Sequence, residues 1–157
     1  MIMENSRIWI YLSDKEFSKE IETQIESKLN FFLGNWKAHD NPLRSFYKIE
    51  RKRFIIIGVD ESQFSASGCS IDKQLKLIKD LEIDFSIQLL NRLLIAYEIN
   101  GSLHVSPQSK INELIKEGKV NAETFVYNNA INQSVDLENN WRIPLKNSWL
   151  AKYIDGN

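Results

Sequence analysis

Apolar and polar positions along this chain follow two periods, and the switches between them divide it into elements. Arg7 to Leu12 (Arg-Ile-Trp-Ile-Tyr-Leu) is a short β-branched and aromatic run that predicts a first strand. From Ser13 the period lengthens. Phe17, Ile21, Ile25, Leu29 and Phe32 recur every three or four residues, as one stripe of a helix does. Ser13 with Glu16 has the form of a capping box, and Gly34 stands where a left-handed terminating residue is wanted. Leu43 to Ile49 and Phe54 to Val59 read as two strands joined through Glu50-Arg51-Lys52-Arg53. The second is apolar on both faces, which predicts a central position in a sheet.

A polar loop follows from Asp60 to Gly68. Ser70 is predicted to cap a second helix with Ile71, Leu75 and Ile78 inward, and Asp84 a third with Phe85, Leu89 and Leu93 inward. Asn100-Gly101, between Ala96–Ile99 and Ser102–Val105, is the strongest hairpin signal in the chain. Ser106-Pro107 predicts a cap and a first-turn proline for a helix running to Gly118. Thr124 to Tyr127 reads as a further strand. The aromatic-rich remainder, through Trp141, Pro144 and Trp149, reads as a short helix and irregular segments.

This order does not alternate as a parallel sheet requires. The expectation is an α+β fold: a mainly antiparallel sheet with helices chiefly on one face, a ferredoxin-like β-α-β-β-α opening and a C-terminal extension. An RNase-H-like start is the alternative. No repeat and no Pro/Gly/Ser-rich linker divides the chain, so residues 1–157 are expected to form one domain.

An apolar share of 43% in 157 residues is enough for a core and excludes a disordered or collagen-like chain. Twenty Lys+Arg against 21 Asp+Glu leave a net charge of −1, so no global field favours nucleic acid or a membrane surface. The lone cysteine, Cys69, excludes an internal disulfide and any multi-cysteine zinc or iron–sulfur centre. Apolar runs such as Phe54 to Ile57 are too short to cross a bilayer. Residues Met1 to Arg7 show no basic region followed by an apolar one, which predicts a cytoplasmic protein.

Motifs narrow the chemistry further. Gly118-Lys119 is the one Gly-Lys pair; a phosphate-binding loop would need Gly where Glu113 stands and a hydroxyl where Val120 stands. No Gly-x-Gly-x-x-Gly, Gly-x-Ser-x-Gly or His-Glu-x-x-His occurs. His39 and His104 are too few for a metal site, and no cofactor or metal is predicted. His104 reads as a strand-surface residue.

The densest group of chemically useful residues is Asp60 and Glu61 at a strand end, then Ser67, Gly68, Cys69, Ser70 and Asp72 at a helix start. Free amides there would favour an anion, and they would favour the thiolate of Cys69. The first expectation is therefore a binding or regulatory domain for a small polar ligand or protein partner at 60–72. Trp36 and Trp149 would supply apolar contact. A second reading is an enzyme with Cys69 as nucleophile, His39 as base, and Asp60 or Glu61 as an orienting or acid group. A third is RNA binding through the hairpin 44–53. There Arg44, Lys48, Arg51, Lys52 and Arg53 gather beside Phe46, Tyr47 and Phe54, although a sequence pI near 6.1 argues against it. Each has a structural counterpart: a buried thiol, ordinary caps, a charged edge strand, and tryptophans that hold the tail to the sheet.

Five strings occur together: Trp36-Lys37-Ala38-His39, Val59-Asp60-Glu61-Ser62, Ser67-Gly68-Cys69-Ser70-Ile71-Asp72, Asn128-Asn129 and Ser148-Trp149. With these the chain resembles, over nearly its whole length, a family of small bacterial proteins carried under the label "ABC transporter ATPase". The resemblance implies a bacterial, cytoplasmic setting and supplies no activity, cofactor or catalytic residue. The label has no support in the residues, since neither a Walker loop nor a Leu-Ser-Gly-Gly-Gln signature is present.

Overall fold

The computed structural model of the chain describes residues 5–155; residues 1–4, part of the stretch read for a leader, lie outside them. The fold is α+β, and every strand pairing among the described residues is antiparallel. In chain order the elements begin β1 (Arg7–Leu12), α1 (Lys19–Gly34), β2 (Lys37–Ala38), β3 (Asn41–Pro42), β4 (Arg44–Glu50), β5 (Phe54–Asp60) and α2 (Gly68–Phe85). They continue β6 (Leu94–Ile99), β7 (Ser102–Pro107), α3 (Ile111–Lys116), β8 (Phe125–Tyr127), β9 (Arg142–Pro144) and α4 (Ala151–Asp155). Within the chain the residues group into two compact units. The first runs through Leu90 and takes in Asn132–Val135; the second holds Asn91–Ile131 and the chain from Asp136 on.

In the first unit the sheet order is β1-β5-β4, so the all-apolar strand is central, as its pattern predicts. Phe54 to Ile57 and Val59 are all fully buried. Ile55, Ile57 and Val59 share one core with Ile25 and Leu29 of α1 and Ile78 and Leu81 of α2, so both helices cover the same face. At about 25 cal/mol per Å² of apolar surface, this burial is the main term holding the unit together. After α2, the next strand joins a different sheet of order β7-β6-β8-β9. Asn132–Val135 instead lies against β1, where the Ile8 N–H donates to the Asn132 carbonyl (3.0 Å) and Ser134 N–H to the Ser6 carbonyl (2.8 Å).

Among the described residues three tight turns place two consecutive residues at positive φ: His39-Asp40, Arg51-Lys52 and Asn100-Gly101. Such turns match the twist of the strands they join. Asn-Gly does this without strain and was legible. Arg51-Lys52 is held there by surroundings: the Lys52 carbonyl accepts from Phe17 N–H and the Arg53 carbonyl from Ser13 N–H, each at 2.7 Å. Those two bonds also move the start of α1. Ser13 is buried and its hydroxyl is used within the 13–15 turn, so Ser18 caps the helix by accepting from Ile21 N–H at 3.2 Å.

Two other predicted helices change. No helix starts at Asp84, because α2 continues to Phe85 and stops where Ser86 turns left-handed at φ 53°. Asp84 pairs with Lys28 (3.4 Å), while Glu82 Oε2 accepts from Leu89 and Leu90 N–H; Leu93 is exposed. Ser106-Pro107 ends β7, opposite Ile95 and Leu94, so α3 begins only at Ile111, after a 3-10 turn. The second unit packs Ile111 and Leu114 of α3 against Ile95, Tyr97 and Val126. Its strands are tied by Glu98, which takes two hydrogen bonds from the Arg142 guanidinium (2.8 Å each) and one from the Tyr127 hydroxyl (2.6 Å). His104 is exposed on β7, stacked on Tyr97.

Lys52→Gly removes a side chain from a left-handed position and is expected to raise stability by about 1 kcal/mol, read as a higher urea midpoint at unchanged slope. Gly58 faces Phe46 across the sheet, and the ring occupies the space a Cβ would need. Gly58→Ala is expected to cost about 1–3 kcal/mol, and Phe46→Ala in the same chain to recover most of that in a double-mutant cycle.

Candidate functional site

The junction predicted as a site is built from strand β5, the loop 61–67 and the start of α2. Asp60 accepts from Ser62 N–H (3.0 Å) and lies 3.3 Å from the Arg44 guanidinium. The hydrogen bonding from Ser62, with a smaller contribution from Arg44, holds its carboxyl below the usual carboxylate range. Its contribution to stability is therefore present at neutral pH and is lost as pH falls below that range. Glu61 Oε2 accepts from Ala66 N–H at 2.8 Å and closes the loop.

The helix is capped one turn earlier than Ser70. Ser67 Oγ accepts from Ser70 N–H (3.1 Å), and Ser70 Oγ accepts from Ser67 N–H (2.7 Å), a reciprocal capping box. Ser70 is buried, and its carbonyl accepts from Trp36 Nε1–H at 2.8 Å. Trp36 thus lies in the core, edge-on to Trp9, rather than open to a ligand. On the same helix Gln74 is buried. The Tyr11 hydroxyl donates to its Oε1 at 2.6 Å, and its Nε2 has no partner among the described residues.

Gly68, Cys69 and Asp72 are exposed. The residues offered as a catalytic set are not linked to the thiol. His39 is an exposed turn residue at φ 51°, and no side chain is hydrogen bonded to the Cys69 sulfur or to the His39 imidazole among the described residues. The structure therefore joins Asp60, Glu61, Ser67, Ser70 and Trp36 in a helix-start scaffold whose side-chain polar atoms are already engaged. The basic hairpin is similarly committed: Arg44 pairs with Asp60, Lys48 with Glu50 (2.6 Å), and Arg53 donates to the Asp14 carbonyl (2.9 Å).

A different place keeps polar groups in reserve. In the second unit a cleft of about 360 Å³ is lined by Arg92, Gln108, Asn128, Asn129, Asn147 and Trp149, with Tyr127 and Ile143 among the residues behind them. Strand β8 ends at Tyr127 and delivers Asn128 and Asn129 side by side. Asn128 Oδ1 accepts from Ala130 N–H (3.1 Å) in a local turn, and Asn129 Oδ1 accepts from the Trp141 indole (2.9 Å). Both carboxamide oxygens are thus taken, which fixes the orientation of the amides. Their NH₂ groups, like the Asn147 side chain, have no acceptor among the described residues. Trp149 is 41% exposed and is held by its Nε1–H donating to Gln108 Oε1 at 3.2 Å. Trp141, by contrast, is buried edge-on against Tyr127.

The cleft was not predicted as a site from residue chemistry, because amides carry no charge and Asn-rich loops read as turns. Its signals in the sequence are Trp149, expected above to supply apolar contact to a ligand, and the place of Asn128-Asn129 and Ser148-Trp149 among the strings carrying the family resemblance. Among the described residues no group of three His, Cys, Asp or Glu is placed to hold a metal, and no helix is long and apolar enough to cross a membrane. Comparison of the chain with family models, curated proteins and solved structures returns no match.

Ser67→Ala is expected to lower stability by about 1 kcal/mol in a thermal or urea melt, since it removes the cap and strands the Ser70 N–H. Cys69→Ser, on an exposed position without a partner, is expected to change stability by less than about 0.5 kcal/mol.

Proposed function

We propose that the protein is a binding domain and that its ligand is a small organic anion held in the cleft beside Trp149. The observation that carries this reading is the imbalance of donors. Asn128 and Asn129 have spent their oxygens on the protein and keep their N–H groups, and Asn147 adds a further amide. A ligand satisfying such a set must supply acceptor oxygens, as a carboxylate or phosphate monoester does. The half-exposed indole of Trp149 offers a flat face for the rest of that molecule. A cleft of about 360 Å³ suits a compact ligand.

This keeps the expectation of a binding domain for a small polar ligand and moves the favoured site from loop 60–72 to the second unit. The junction at 60–72 offers a ligand main-chain amides at Gly68 and Cys69, with its capping side chains already paired. The cleft offers side-chain donors and an aromatic face together.

Benzoate and phenyl phosphate are suitable probes, with Trp149 fluorescence as the readout. Saturable quenching or enhancement is expected. Asn128→Asp keeps the oxygen that the 128–130 turn requires and exchanges the free donor for a carboxylate oxygen. It is expected to weaken binding about tenfold or more while leaving the melting temperature nearly unchanged. Equal binding of either probe by this variant, or no saturable response in the native protein, would overturn the reading.

A further inference from the structure

Helices α1 and α2 of the first unit run side by side in opposite directions. Lys28 reaches Asp84 (3.4 Å) near one end, and Trp36, just beyond α1, reaches the Ser70 carbonyl (2.8 Å) near the other. Between them lies an open groove of about 780 Å³, floored by Phe32, Trp36, Leu77 and Leu81. Phe31, on its wall between those two anchors, is 76% exposed. Ile83 stands seven residues after Lys76 and so on the same side of α2; it is 77% exposed. These are the two most exposed large apolar side chains among the described residues, and Phe31 lines the groove itself.

The charges along the α2 wall have a polarity. Lys73 and Lys76 occupy its N-terminal half, and Asp80 and Asp84 its C-terminal half. The helix's own dipole does not account for this, because it disfavours a carboxylate such as Asp84 in the last turn. Three of these four charges find partners within the helix layer, Lys76 with Asp80 (3.1 Å) and Asp84 with Lys28 (3.4 Å), but both pairs are exposed and therefore weak. Lys73 has no ion-pair partner among the described residues.

A second copy of this chain answers that pattern. When α2 lies antiparallel to its own counterpart, with a two-fold axis midway between Leu77 and Asp80, Lys73 stands level with the partner's Asp84. Lys76 then stands within one residue rise, about 1.5 Å, of the partner's Asp80. Every contact is repeated by symmetry, so four Lys–Asp pairs surround the axis, and the stripe is self-complementary in this orientation. The same axis turns α1 against its own copy, which brings the two Phe31 rings toward one another over the groove. We infer that the α1–α2 groove is the contact face of a two-fold symmetric homodimer, closed by Phe31 at its centre and set in register by the Lys73/Lys76 and Asp80/Asp84 stripe. This inference does not depend on the cleft beside Trp149.

Sedimentation equilibrium of the full chain tests it, with circular dichroism confirming that each variant is folded. The native protein is expected at twice the monomer mass in the micromolar range. Phe31→Ser, at an exposed position, is expected to weaken the dimer about tenfold or more. Lys73→Asp with Lys76→Asp, and separately Asp80→Lys with Asp84→Lys, place like charges across the axis, so each variant alone is expected to be a monomer. An equimolar mixture of the two is expected to return to dimer mass, because opposite charges then face each other again. A native protein that stays monomeric, including one that only takes up a foreign apolar ligand in the groove, overturns the inference. So does a dimer indifferent to Phe31→Ser, or folded charge variants that do not recombine.

Discussion

Exclusion of water from strand β5 is the constraint on which the first unit depends. Its run from Phe54 to Val59 has no polar side chain to present, so both of its sheet faces have to be covered and both of its edges paired. The edges go to β1 and β4, and α1 and α2 cover the face carrying Ile55, Ile57 and Val59. Much else follows from that placement. The close approach of Phe46 requires glycine at 58, and the short return to β5 forces Arg51 and Lys52 into left-handed geometry. The tryptophan following α1 is drawn beneath the start of α2, where its indole N–H satisfies the Ser70 carbonyl.

Polar groups follow the complementary rule. Where the fold needs a donor or acceptor to end an element, it takes one from the nearest suitable side chain, and that group is then lost to ligand chemistry. Asp60, Glu61, Ser67 and Ser70 are all consumed in this way around the start of α2. In the second unit the same rule leaves a remainder. Each of two adjacent asparagines serves the fold with its oxygen alone, and both residues line a cleft next to an exposed indole.

The gross architecture was legible in the residues because period and composition report directly on burial. The central strand, the long stripe of α1, the Asn100-Gly101 hairpin and the α+β class all come from that kind of signal. The errors cluster at element ends. Ser13 and Ser70 both have a cap's chemistry, yet Ser18 and Ser67 do the capping: the Ser13 hydroxyl is used in the 13–15 turn, and the Ser70 hydroxyl is the returning half of the capping box that Ser67 opens. Asp84 resembles a cap for a new helix but ion-pairs with Lys28, and α2 runs past it to a left-handed serine. The candidate loop was visible as a concentration of polar residues; that their side chains were already spoken for was not.

By itself, then, the sequence determined which stretches are strand or helix, which strand is innermost, and where one turn had residues free to adopt positive φ. These are properties of neighbouring residues, set by side-chain period and backbone sterics within a few positions. Only the tertiary structure decided which of several equivalent serines ends a helix, that His39 sits in a turn without a hydrogen bond to Cys69, and that Asn128 and Asn129 hold spare donors beside Trp149. The physical reason is that a hydrogen-bonding group is free or engaged according to partners many residues away, as when Trp36 claims Ser70 and Trp141 claims Asn129. No local pattern records such a claim.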